Sequence, residues 1–246
     1  MNWTTECAVV VPCLNEVACI EGVVQNIRRF IPTVFVIDDG SADDTGKVAK
    51  KAGAQVLQHK RRRGKGAALQ TGWKHAHEQG FKWALAMDGD GQHSSDDIVK
   101  FFQAAERTGT QLIVGNRMDR PDGMPRVRRW VNRWMSKRIS ALAGKPLPDS
   151  QCGFRLMNLK TWAALAPTAN HFEIESDVLL AFAVSGCGIE FVPIEVIYRA
   201  EQSKIHPVRD TLRWFRWWWR AHDRLAKELP LPAFRKPALP VRFERG

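Results

Sequence analysis

Residues 83–93 read WALAMDGDGQH. The apolar run Trp83–Met87 stops abruptly at Asp88-Gly89-Asp90, which predicts a buried strand ending in an acidic loop. In extended chain, residues i, i+2 and i+4 point to one side, so Asp88, Asp90 and Gln92 converge. Glycines between them let a ligand approach the backbone. Hard oxygen donors of this kind suit Mg2+ or Mn2+, which take one or two carboxylates and complete their shell with substrate phosphates. A plain Asp/Gly turn is the competing reading. The strand-end position, with Gln92 and His93 following, favours the metal.

The same grammar extends outward. Cys7–Val11 is an apolar run ending at Pro12, and Val34–Ile37 is another ending at Asp38-Asp39-Gly40-Ser41. Helical periodicity separates the runs: a helix capped by Asn15 and running to about Phe30, a second over Thr45–Ala52, and a third over Gly66–His77. Gln55–Leu57 and Leu112–Val114 read as further strands, and Asp96–Arg107 as a helix. This alternation predicts an α/β fold with a mostly parallel, doubly wound sheet and helices on both faces. Ligands of such sheets bind beyond the carboxyl ends of the strands, where the unusual loops lie. Carboxylates there can accept hydrogen bonds from a base or a ribose, although Asn15 and Asp43 could equally cap helices.

Past Met124 the pattern changes. A basic amphipathic helix is predicted over Arg126–Ala143, then a helix around Asp177–Val184 and a strand over Ile189–Val196. An Arg/Trp-rich amphipathic helix is expected from about Val208 to Lys227, and a Pro-rich basic tail beyond it. The organisation expected is a catalytic domain over 1–206, the helix within 207–228 and the tail over 229–246.

Composition narrows the function classes. The chain has 246 residues and a formal net charge of +11, which favours an anionic partner such as nucleic acid, anionic lipid or a phosphorylated substrate. The densest charge run is Lys60-Arg61-Arg62-Arg63-Gly64-Lys65-Gly66. It opens a helix, and Lys65 beside that helix N-terminus suits a diphosphate. The five cysteines are odd in number and show no C-x-x-C pair, which argues against a disulfide framework or a zinc site. The N-terminus lacks a signal-peptide pattern, and no stretch reaches the ~18 apolar residues needed to span a bilayer. Any membrane association is therefore expected to be peripheral. A nucleic-acid-binding protein would share the charge, but it gives no reason for Asp88 and Asp90.

Taken in order, VVVPCLNE, DDGSADDT, GKGAAL, MDGDGQH, VGNR, DSQCGFRLM and FEIESDVLL resemble family-2 glycosyltransferases, closest to the dolichyl- and polyprenyl-phosphate sugar synthase branch. The resemblance runs from about Cys7 to His206. It implies a GT-A fold, a UDP- or GDP-sugar donor, a divalent metal and inversion at the anomeric carbon. It places Pro12, Asn15, Glu16, Asp39 and Lys65 around the nucleotide, with Asp88 beside the diphosphate. It gives Asp88, Asp90 and Gln92 to the metal, with Asp90 also counted as catalytic. Arg117 would face a phosphate-bearing acceptor, and Glu175 and Asp177 fall in the acidic motif beside that acceptor.

Arg126, Arg129, Arg133 and Lys137 form one basic stripe, with Val127, Val131, Met135 and Ile139 on another face and Trp130 and Trp134 beside it. Arg129 and Arg133 would join Arg117 on a lipid phosphate. A helix with an Arg-rich face and Trp/Phe opposite suits the lipid interface. The expected partners are the donor, a lipid-phosphate acceptor and a membrane surface, with no nucleic acid. The expected place is the cytosolic membrane face. A hydroxyl acceptor is the alternative and would require a carboxylate base, for which Glu175 or Asp177 is the candidate.

Overall fold

The computed structural model describes residues 1–119, 123–197 and 207–228. The expected tail over 229–246 lies outside them. Seven strands form one sheet in the order β3-β2-β1-β4-β6-β5-β7. They are β1 (Cys7–Cys13), β2 (Val34–Asp38), β3 (Gln55–Gln58), β4 (Trp83–Ala86), β5 (Leu112–Asn116), β6 (Arg155–Asn158) and β7 (Ile189–Pro193).

The first half is parallel: β1 pairs with β2 and β4, and β2 with β3. Every residue of β1, β2 and β4 is buried, which is why these strands read as continuous apolar runs. A single-turn α1 (Trp3–Glu6) precedes β1, and between the strands lie α2 (Ile20–Arg28), α3 (Thr45–Lys51) and α4 (Lys65–Glu78). The chain runs outward from β1 to β3 and then crosses back to β4. Right-handed crossovers therefore put α2 and α3 on one face and α4 on the other. The reversal falls between β1 and β4, which opens a crevice at their carboxyl ends. A Cβ on Gly72 of α4 would stand 2.3 Å from Val10 Cγ1, so only glycine lets this helix settle on the sheet.

The second half departs from the parallel pattern. β6 runs antiparallel to both β4 and β5, whereas β5 and β7 are parallel. Neither β6 nor the short α7 (Leu159–Leu165) is visible as periodicity, because both are brief and β6 begins on a buried arginine. Phe154, just before β6, packs its ring 4.3 Å from Phe101 of α5 (Ile98–Thr108). Both rings are fully covered, and each such burial stabilises by about 2 kcal/mol.

Other boundaries also move. α2 starts at Ile20, and Asn15 does not cap it. Asn15 sits at φ 52°, a left-handed conformation that asparagine tolerates. Its N–H donates to Ser41 Oγ (2.9 Å) and its side-chain oxygen accepts from Ala42 N–H (2.8 Å), stitching two strand-end loops together. Asp43 does serve the next helix, accepting from Thr45 N–H at 3.0 Å. β7 ends at Pro193, and Val196 instead forms an isolated bridge to His93.

α6 (Arg126–Ala143) has the expected span, but only Met135 and Ile139 of the expected apolar face are buried. Its buried side carries Asn132, Met135, Ser136, Ile139 and Leu142, while Val127 is 76% exposed and Trp130 67% exposed. The second unit of the chain, 205–246, contains α9 (Pro207–Glu228), where Trp214 and Trp218 stack with centroids 6.5 Å apart. All five cysteines are free. Among the described residues no helix is long and apolar enough to cross a membrane.

Candidate active site

The crevice between β1 and β4 gathers charge from both halves. Lys65, the first residue of α4, reaches Asp88 Oδ1 and Glu175 Oε1, each at 2.7 Å. Asp88 follows β4, and Glu175 lies in the first turn of α8 (Ile174–Val184). His93 Nε2 approaches Asp88 Oδ2 at 3.7 Å. Burial alone would raise the Asp88 carboxyl, but the Lys65 ammonium and His93 hold it well below the usual range. Burial likewise opposes the Lys65 charge, and the two carboxylates overcome it and push the ammonium pKa up.

Asp90 behaves in the opposite way. Burial and the neighbouring Asp88 charge push its carboxyl up, although it accepts a hydrogen bond from Gln92 N–H (3.0 Å). Asp88 and Asp90 thus set two carboxylates in each other's field, and Gln92 is tied to Asp90 through its backbone N–H. No cluster of three His, Cys, Asp or Glu capable of holding a metal occurs among the described residues.

Glycines shape the approach. A Cβ on Gly153 would lie 2.8 Å from Asp88 Oδ2 and 3.0 Å from Lys65 Nζ, and one on Gly89 would lie 3.1 Å from Cys13 Cβ. The Asp149–Arg155 turn therefore closes over the Lys65–Asp88 pair, while the end of β1 lies against the Asp88–Asp90 loop. Pro12 is buried within β1 at that edge.

The side chain that positions Glu175 was not singled out from the sequence. Arg155 is buried, and its guanidinium donates to the carbonyls of Cys152 (2.7 Å), Ser150 (2.9 Å) and Glu175. It thereby joins the glycine turn to α8. A buried arginine opening a short strand inside DSQCGFRLM was the available signal. Gln151 adds a hydrogen bond to Ser176 Oγ at 2.9 Å. Glu175 Oε2 is buried with no hydrogen-bond partner among the described residues, so it can accept from a bound hydroxyl or amide.

Several expected contacts take another form. Arg117 presents no exposed guanidinium to an acceptor. It is buried and doubly bonded to Asp149, Nε to Oδ2 and Nη2 to Oδ1, both at 2.8 Å. Burial would raise Asp149, and Arg117 lowers it. Asp177 is also separate from the Lys65 cluster: its Oδ2 accepts the backbone N–H groups of Thr168 and Ala169 at 2.9 and 3.0 Å.

Asp39 is buried and turned inward. Its Oδ1 accepts from Arg63 N–H and meets His59 Nδ1, and its Oδ2 accepts from Gly64 N–H. Asp38 is bound by Ser41 N–H and the Gln58 amide. Glu16 N–H donates to Thr45 Oγ1 at 2.8 Å, which fixes the backbone of the PCLNE turn. At the α4 N-terminus, Ala67 N–H is already taken by Asn170 O (2.9 Å), so that helix end is partly capped by the chain itself. On α6, Arg133 is exposed, while Arg129 is half-buried with an Nε that has no partner among the described residues.

The sequence model of glycosyl transferase family 2 matches residues 8–162, more than half of the chain. A UDP-N-acetylglucosamine--dolichyl-phosphate N-acetylglucosaminyltransferase of Methanococcus voltae is 29% identical over 212 residues, covering 77% of this chain and 84% of that protein. An undecaprenyl-phosphate mannosyltransferase of Micrococcus luteus is 26% identical over 204 residues, covering 77% and 83%. Glucosyl-3-phosphoglycerate synthase from Mycobacterium tuberculosis, solved with Mn2+, UDP and phosphoglyceric acid, aligns with a TM-score of 0.68 at 21% identity. That alignment covers 89% of this chain and 78% of the other, and the likeness shows a shared GT-A fold. With a matching family model, relatives of this kind and the acidic crevice at the β1/β4 switch point, the chain belongs to glycosyl transferase family 2 and is a glycosyltransferase.

Proposed function

We propose that this glycosyltransferase moves a sugar from a nucleotide-diphosphate sugar to a polyprenyl-type lipid phosphate, with inversion, at the cytosolic face of a membrane. The observation that carries the reading is the Lys65–Asp88–Glu175 cluster, with Asp90 beside it, at the crevice where the strand order reverses. The names of the M. voltae and M. luteus relatives support the lipid phosphate. The Mn2+ and UDP in the M. tuberculosis structure support the donor class and the cation.

Asp88, Asp90 and Gln92 would hold Mg2+ or Mn2+, which stabilises the charge on the departing nucleoside diphosphate. Lys65 adds a second positive charge at the same place, and Glu175 and Arg155 fix where it stands. Pro12, Asn15 and Glu16 border the nucleotide through the β1 turn. Asp39 contributes by anchoring the loop that leads to Lys65.

In the reaction the acceptor phosphate oxygen forms a bond to the anomeric carbon, and the bond from that carbon to the diphosphate oxygen breaks. Attack from the opposite side inverts the centre. A lipid phosphate is already anionic at neutral pH, so no proton has to be removed and no carboxylate base is required. This agrees with the tied state of Asp177 and the Lys65-bound state of Glu175. Arg129 and Arg133 on α6 would steer the acceptor. Their helix also bears the exposed Val127 and Trp130 among cations, a surface suited to the lipid interface.

The test is sugar transfer to a short polyprenyl phosphate and to the matching polyprenol, using wild type and Asp177→Asn. The reading expects turnover on the phosphate alone, with kcat changed less than about fivefold in the variant as long as it folds. Turnover on the alcohol that is abolished in Asp177→Asn would replace this reading with one that uses a base.

A further inference from the structure

The arginine run ahead of Lys65 is not used by the reaction centre. Arg61, Arg62 and Arg63 are exposed, and among the described residues no carboxylate pairs with them. With Ala67, Asn170 and His171 they line a cavity of about 390 Å3.

Arginines on a loose loop make only a diffuse positive surface, but here both walls are fixed. On one wall Asp39 takes the N–H groups of Arg63 and Gly64, both at 2.8 Å. Asp39 is in turn held by His59 Nδ1 at 2.7 Å, and His59 Nε2 meets Thr71 Oγ1 of α4 at 3.0 Å. His59 and Asp39 are both buried. Gly40 lets the loop lie flat on the strand end, since a Cβ there would stand 2.9 Å from Arg62 N. On the other wall Asn170 O accepts from Ala67 N–H at 2.9 Å. A Cβ on Gly64 would meet His171 Nδ1 at 2.1 Å, and one on Gly66 would meet Ala169 O at 2.5 Å. Only glycine at these two positions lets the chain around residues 169–171 close against the loop.

We propose that this cavity is a phosphate-binding site separate from the Asp88/Asp90 centre, that Arg61, Arg62 and Arg63 take the anion, and that His59 is a positioning residue acting through Asp39. Guanidinium matches phosphate geometry with paired N–H donors, and a backbone held in advance lowers the ordering cost of binding. The phosphate is either that of a soluble phosphorylated compound or the headgroup of an anionic lipid. The proposal does not rest on glycosyl transfer.

The experiment titrates inorganic phosphate into the full chain by calorimetry and, in parallel, measures sedimentation with phosphatidic acid/phosphatidylcholine vesicles against phosphatidylcholine alone. Saturable phosphate binding is expected in wild type, weakened about tenfold in Arg61→Ala/Arg62→Ala and unchanged in Lys65→Met. Loss of phosphatidic acid preference in the double variant assigns the headgroup. An unchanged preference assigns a soluble phosphate. His59→Leu should weaken phosphate binding about fivefold, and His59→Asn, whose amide N–H can replace Nδ1–H, should restore it; a general loss of stability would not give that pattern. Absence of saturable binding in both arms, or binding lost in Lys65→Met and kept in the arginine variant, overturns the proposal.

Discussion

The two halves of the sheet use their charges differently. In the parallel half, β1, β2 and β4 are buried along their whole length, and Asp88 and Asp90 stand at a strand end beside the crevice. In the mixed half around β6, charged side chains are buried and committed to the chain itself: Arg117 to Asp149, Arg155 to three carbonyls, Asp177 to two amides. Lys65 and Glu175 join the halves. The lesson is that a carboxylate at a strand end can serve chemistry, whereas one closed into backbone or guanidinium contacts serves geometry. Substitutions in the first half should therefore cost activity, and those in the second half should cost stability.

The largest effect is expected at Asp149. Asp149→Ala removes the carboxylate that holds the buried Arg117 guanidinium through two 2.8 Å hydrogen bonds, which costs about 3–5 kcal/mol. Urea unfolding measures this, and a loss below about 1 kcal/mol would break the contrast. Asp90→Asn should do the reverse. Its carboxyl pKa is raised, so the charged form is disfavoured in the folded state, and removing the charge should raise the melting temperature at neutral pH. The same change should lower kcat by roughly 100-fold or more, the scale of losing one charge-stabilising group. A variant both inactive and less stable would contradict the assignment.

Acid titration sharpens the comparison. Asp88 and Asp149 both have lowered folded pKa values. Their stabilisation is complete above the ordinary carboxylate pKa of about 4 and is lost as pH falls through the folded values. Asp90 contributes with the opposite sign. Melting temperature should thus fall below about pH 4, and Asp149→Asn should flatten that fall. The smallest effect on folding is expected on α6. Trp130→Asp, at a 67% exposed position, should change stability by less than about 0.5 kcal/mol yet reduce sedimentation with anionic vesicles.

Much of the first half was legible in the sequence. Apolar runs closed by Pro12, Asp38-Asp39 and Asp88 mark the strand ends, because a strand buried on both faces must be apolar. The convergence of site residues at those ends follows from the parallel order. What could not be read is which partner occupies each side chain. Asp39 and Asp88 look alike as strand-end carboxylates, but one is closed by His59 and two loop amides and the other meets Lys65. Arg117 looks like an anion clamp until Asp149, 32 residues on, is seen to neutralise it. β6 escaped because an antiparallel strand of four residues carries too little periodicity, and the outward Val127 of α6 escaped because apolar spacing does not say which face is buried.

The proposed chemistry requires Asp88 and Asp90 to bind a nucleoside diphosphate through a divalent cation. Calorimetric titration of UDP and GDP into the full chain, with Mn2+ and with chelator, tests it most directly. At least one nucleotide should bind with Mn2+, weaken by about tenfold or more in chelator, and lose that metal dependence in Asp90→Asn. Equal binding with and without the metal, or none in either condition, would contradict the account.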